Sequence, residues 1–201
     1  MEGLLGMNKK NISDAYFIDY NLAHLKDQDG DGEIDEFPGY EDIMFERTDQ
    51  IKLPEIPTCL ADLKTLKKTD FPCCTPLWPV MSKKMINTLL KIKQFPHKIF
   101  PILMVDQLTN QINEDYVIVH LLDHLDIIDH DKSIIKTSND LKWYITEIDK
   151  LRLKNVNNLP PLFRLYQHPI ELLVSSDARS ALINEGINGI KYISLDNYSY
   201  P

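Results

Sequence analysis

With 201 residues, 43% of them hydrophobic and 26% charged, the chain is long and apolar enough to bury a sizeable core, in one domain or two small ones. No apolar run approaches the length of a transmembrane helix, and the opening MEGLLGMNKK lacks the long apolar segment of a secretory signal. A net charge of −8 argues against a nucleic-acid partner, whose phosphates need a basic face. Cys59, Cys73 and Cys74 form a poor disulfide framework and fit reduced thiols in a cytoplasm.

Residues 1–14 are polar and read as frayed. Tyr16-Phe17-Ile18-Asp19-Tyr20 is β-prone and predicts a strand. Between Asp27 and Asp49 stand ten acidic residues against the single base Arg47, which leaves the rest of the chain near neutrality. Asp27-Gln28-Asp29-Gly30-Asp31-Gly32-Glu33-Ile34-Asp35 reproduces the first nine positions of a calcium loop, with alternate carboxylates and glycine at the sharp turn. A hard cation needs several converging oxygens, so Asp27, Asp29, Asp31, Glu33 and Asp35 are the candidate metal ligands. The twelfth position is Pro38, so the loop is not an EF-hand; Glu36, Glu41 or Asp42 could supply the missing oxygens. Two readings stand: a calcium-loaded loop, or an acidic turn without bound metal. As a surface, Glu36, Glu41, Asp42 and Glu46 are candidate partner-binding residues and favour a basic protein or a cation.

Residues 51–79 hold five prolines and read as an extended connection, interrupted by a short helix over Cys59–Leu66. In Pro76–Val105, an apolar run meets Ser82, then a helical pattern, then a returning segment at Lys98-Ile99-Phe100. Tyr116–Leu122 is a continuous apolar run expected to be a buried strand. Its sequel carries His120, Asp123, His124, Asp126, Asp129, His130 and Asp131, read as strand and Asp-rich turn and not as a ligand cluster, because the two leading histidines share a face only on a helix. Lys142–Leu153 alternates like a strand, with Trp143 expected in the core more readily than at an interface.

The sharpest unit is Pro161–Asp196. Ile170, Leu172, Leu173 and Val174 end in the helix-capping residues Ser175-Ser176-Asp177; Ala178, Ala181, Leu182 and Ile183 mark a helix face; Gly186 stops it; Ile190, Tyr192 and Ser194 alternate with Lys191 and Ile193. Setting Ser82 on Ser175 places Met85 on Ala178, Leu89 on Leu182 and Leu90 on Ile183, a weak internal repeat of 76–105 in 161–196. No Gly-rich phosphate loop, Gly-x-Ser-x-Gly elbow or cysteine in a convincing histidine context occurs, so a non-enzyme is expected.

Several short motifs carry a family resemblance over 69–196: Thr69-Asp70-Phe71, Pro-Val-Met-Ser at 79–82, Tyr-Val-Ile-Val-His at 116–120, Asp126, Asp129 and Lys132-Ser133. Pro-Leu-Phe-Arg at 161–164, Leu-Val-Ser at 173–175 and Gly-Ile-Lys-Tyr at 189–192 complete the set. In these the chain resembles immunity family number eleven of bacterial polymorphic toxin systems. The resemblance implies a soluble cytoplasmic protein that binds and neutralises a cognate toxin, with no cofactor required and no membrane. The alternative is a calcium-dependent structural or adhesion module using the Asp27–Asp35 loop. The expected fold is α+β, a strand-rich mixed sheet with two related strand–helix–strand units. Residues 1–68 supply a strand, the acidic loop and the proline-rich connection, and 69–201 the region with the repeat, together one compact unit.

Overall fold

A computed structural model describes residues 15–20, 47, 50–53, 56–73, 78–141 and 143–201. The fold is α+β and strand-rich. Two strand–helix–strand units dominate it. The first is β3 (Val80–Ser82), α2 (Lys83–Ile92) and β4 (His97–Pro101); the second is β12 (His168–Ser175), α3 (Ser176–Asn184) and β13 (Ile190–Ser194).

Both helices start for the same local reason. Ser82 and Ser175 have extended backbone, and each hydroxyl accepts from the amide three residues on: Met85 N at 3.0 Å and Ala178 N at 3.3 Å. The aligned pairs Met85/Ala178 and Leu89/Leu182 are all fully buried. The third pair diverges, for Leu90 is partly buried whereas Ile183 is exposed. α3 ends in a Schellman turn, with Ile187 N donating to Leu182 O and Gly186 N to Ile183 O, and Gly186 at φ +65°.

The sequence left the strand pairing open between parallel and antiparallel. In the structure the two strands of each unit run the same way but do not touch, because an antiparallel strand from elsewhere lies between them. In the first unit it is β7 (Tyr116–Leu121), giving the order β3-β7-β4; in the second it is β1 (Ala15–Tyr20), giving β13-β1-β12. The second sheet continues through β11 (Leu162–Leu165) to β8 (His124–Leu125). A third sheet joins β2 (Thr58–Ala61), β5 (Leu103–Asp106) and β6 (Ile112–Asn113), and β9 (Ile134–Thr137) pairs with β10 (Ile145–Lys150). β1 and β2, from the first 68 residues, therefore sit in sheets whose other strands come from beyond residue 69.

Three apolar clusters separate these layers. The central one holds both helix faces (Met85, Ile86, Leu89, Ala178, Leu182) and the inner face of each unit's sheet (Val117, Val119, Ile18, Val174). Alternation sends Phe17, Phe163 and Leu173 to a second cluster and Val80, Phe100 and Ile118 to a third. As expected, every residue of Tyr116–Leu121 is buried, and Ile190 and Tyr192 face one cluster while Ile193 faces another.

The two units are strapped together by Thr69-Asp70-Phe71. The Asp70 carboxylate accepts from Ser82 Oγ at 2.6 Å and Asn188 N at 2.9 Å, while its backbone bonds Ser82 N and Asn188 O. Gly189 (φ +84°) packs so tightly on Thr69 that a Cβ there would lie 1.8 Å from Thr69 Oγ1.

Two expectations need correction. The segment Cys59–Leu66 is not one helix: Thr58–Ala61 forms a parallel ladder with β5, and only α1 (Leu63–Leu66) is helical. Asp106 on β5 fixes the break by accepting from Leu63 N at 3.1 Å, and hydrogen bonds, Thr109 foremost, hold its carboxyl down to about 2. Trp143 is not in the core but 43% exposed, because β10 begins only at Ile145 and the tryptophan stands on the preceding turn.

These contacts separate two glycines of similar backbone. Gly186→Ala, with open space around the new methyl, is expected to cost about 1 kcal/mol. Gly189→Ala must also displace Thr69 and is expected to cost about 3 kcal/mol or more. Urea unfolding of both variants checks the ranking.

Candidate functional site: an acidic cleft beside an aromatic surface

The nine residues expected to hold a metal or a partner (Asp27, Asp29, Asp31, Glu33 and Asp35; Glu36, Glu41, Asp42 and Glu46) lie outside the described residues. Among the described residues no three His, Cys, Asp or Glu side chains converge closely enough for a metal ion. Asp129 and Ser133 close the turn after β8, the Ser133 hydroxyl bonding the Arg152 backbone in both directions and Lys132 pairing with Asp129 at 2.5 Å.

A different site follows from strand register. β1 pairs with β12 as Phe17↔Leu173 and with β13 as Phe17↔Ile193, so these three apolar side chains share a face over the second cluster. Two residues further along the same face, the register brings Asp19 opposite Lys191, and Glu171 of β12 lines the same cleft as Asp19. One step therefore turns the sheet from apolar to charged. Lys191 Nζ lies 3.8 Å from Asp19, an exposed and loose pair.

The last residues of the chain fold back over this face. Tyr198 stacks on Phe17 with centroids 3.6 Å apart, and its hydroxyl meets His168 Nε2 at 2.9 Å and the Glu171 carboxyl. Together Phe17, Asp19, Glu171, Tyr198, Ser199 and Tyr200 surround an open cleft of about 270 Å³.

Arg164, His168 and His124 form a buried polar group that interacts with Glu171 through Arg164. Arg164 on β11 is 2% exposed and donates through Nη1 to the carbonyls of Pro169 and Ile170. Burial, and secondarily Arg164, pushes both His168 and His124 down to about 4. The Glu171 carboxyl is pushed up, first by burial and then by Asp19, with Arg164 and Tyr198 opposing.

Beside the cleft an aromatic surface sits on two turns that are cross-linked by Ile145 N donating to Gln167 O at 2.9 Å. Trp143 lies 5.5 Å from Tyr166 and edge-on to Tyr144 at 5.8 Å, and the Arg47 guanidinium stands 4.4 Å over Tyr166. Tyr144 hydrogen-bonds Tyr200, which lines the cleft, so surface and cleft are continuous.

Sequence reasoning missed the cleft. The available signal was a lone acid in each of two apolar strands, Asp19 and Glu171, but only the fold brings them to one cleft. The sequence matches no protein-family model and no curated protein.

The histidines give a pH signature. Their folded pKa of about 4 lies below the unfolded value near 6.5, so the unfolded chain takes up protons first as pH falls. The stability they confer is complete above about 6.5 and is lost towards 4, at up to about 1.4 kcal/mol per pH unit for each histidine. Urea midpoints between pH 7 and 5 should fall accordingly, and His168→Gln should flatten the slope.

Proposed function

We propose that this chain is a non-catalytic immunity protein that binds and neutralises a cognate polymorphic toxin in the bacterial cytoplasm. The observation that carries the reading is the exposed Trp143–Tyr144–Tyr166 surface with Arg47, continuous with an acidic cleft. Tryptophan, tyrosine and arginine are the residues that dominate binding energy at protein interfaces, and they do so when grouped and desolvated by a partner. The motif resemblance over 69–196 supports the same reading. So does the acidic segment Asp27–Asp49, which would steer a basic partner to the surface and speed association. The physics asked of the chain is occlusion at one-to-one stoichiometry; nucleic acid and membrane are not its partners.

The test is co-expression with the toxin domain encoded beside it. Growth should be restored by the chain in molar equivalence to the toxin. Trp143→Ala should weaken the purified complex by about 30-fold, roughly 2 kcal/mol, and leave the melting temperature nearly unchanged because the side chain is already 43% exposed. Absence of rescue, or rescue at far below equimolar amounts, overturns the proposal.

The Asp27–Asp35 pattern supports a second reading, a calcium-dependent structural or adhesion module. Its mark is a melting temperature that rises with calcium as ligand linkage requires and returns on chelation. A melting temperature indifferent to calcium removes it.

A further inference from the structure

We propose that the helix side of the β1–β13 ladder binds a carboxylate, held by the Arg179 guanidinium and the hydroxyls of Tyr192 and Ser194. The site is separate from the acidic cleft, because Tyr16 and Tyr192 pack on the central cluster whereas Phe17 and Ile193, which line the cleft, belong to the second. It stands whether or not the chain neutralises a toxin.

Strand register assembles it. Tyr16 of β1 pairs with Ser194 of β13, and Ile18 with Tyr192, so Tyr16, Tyr192 and Ser194 share one face of the sheet. Arg179 of α3 reaches over that face. Its guanidinium carbon lies 4.7 Å from the centre of the Tyr16 ring and 5.4 Å from that of Tyr192. Contacts of this kind hold the planar fork by its faces and leave its N–H edge for bonding.

The donors gathered there lack acceptors. Arg179 makes no ion pair or hydrogen bond with any described residue, and its Nε is buried. The Tyr192 hydroxyl is also buried and has no hydrogen-bond partner among the described residues. Burial pushes that phenol up to about 12, with Arg179 opposing, so at neutral pH it keeps its proton and remains a donor. The Ser194 hydroxyl caps nothing in the short 3₁₀ turn Leu195–Asn197 and bonds no described residue. Buried donors without acceptors are costly, and an anion is the ligand that relieves them. The charge count then selects a carboxylate. Lys191 faces the other side of β13, towards Asp19, so one guanidinium carries the positive charge of the site. It balances a monoanion and can bond both of its oxygens, whereas a phosphate dianion would leave a negative charge uncompensated against two aromatic rings.

The test uses the intact chain and N-acetyl-L-glutamate α-N-methylamide at fixed ionic strength, followed by the Arg179 Nε–H resonance and the ring resonances of Tyr16 and Tyr192. Saturable shifts with a dissociation constant of ~1–10 mM are expected, the modest affinity of a single-residue fragment. The glutamine analogue, similar in shape but neutral, should bind at least about tenfold more weakly. Arg179→Gln should abolish saturation. Tyr192→Phe should weaken the probe about fivefold and leave the melting temperature unchanged or raised, since the hydroxyl it removes has no acceptor to lose. If Arg179→Gln does not fold, Tyr192→Phe carries the test alone. Acetate separates the sources of the carboxylate: an affinity equal to that of the glutamate probe assigns a free organic acid, and tighter glutamate binding assigns a protein side chain. Shifts that rise linearly without saturation, equal binding of the glutamine analogue, tighter binding of inorganic phosphate, or undiminished binding by Tyr192→Phe overturn the proposal.

Discussion

Asp70 holds a position on which both halves of the molecule depend. Its carboxylate takes one bond from the hydroxyl that caps α2 and one from the turn that follows α3, and its backbone repeats both connections. Hydrogen bonds to a charged acceptor are each worth about 1.5–3 kcal/mol, but the larger effect is geometric. The Ser82 hydroxyl can accept from Met85 N and donate to Asp70 only with the helix start and the strap in one relative position. The contact of Gly189 with Thr69 then fixes the other unit against the same strap. With these anchored, Met85, Leu89, Ala178 and Leu182 meet in a single core, and neither sheet can slide without breaking the clamp.

The candidate site is a consequence of where that core stops. Along β1 the outward face carries Phe17 and then Asp19, and the neighbouring strands change character at the same level. The sheet thus supplies an apolar floor and an acidic lip within one pleat. The carboxy-terminal residues convert the lip into a cleft, held there by the Phe17–Tyr198 stack, the bond to His168 and the pairing of Tyr200 with Ile148. Keeping His168 neutral suits this arrangement, since a second buried cation beside Arg164 would have to be paid for in desolvation.

What could be read from the chain was what is local. Serine caps, a glycine stop and helical spacing are set by neighbours within four residues, so both strand–helix–strand units and their repetition were legible. Strand partners separated by a hundred residues or more were not. Nothing in Ala15–Tyr20 says that it lies between β12 and β13, and without that placement Asp19 and Glu171 are unrelated acids. Leu60, Leu63 and Leu66 suggested one helix because threefold spacing is ambiguous over so short a run; the ladder to β5 claimed the first part of it. Trp143 misled because burial of a large aromatic is a tendency of composition, whereas its exposure follows from the turn it occupies. The motifs behind the resemblance fall mostly on strands and the serine caps that end them, which is why they describe a scaffold more clearly than a site.

The interleaving of β1 and β7 also has a temporal side. Each unit is closed by a strand that is not contiguous with it, and for β1 the partners, β12 and β13, lie far along the chain. An inner strand of the five-stranded sheet must therefore wait, unpaired, for both of its neighbours. Folding of this kind is dominated by distant contacts and is correspondingly slow. The cleft draws on β1, β12, β13 and residues 197–200, so it exists only once these distant segments have come together. A chain interrupted at either end would lack one of its walls.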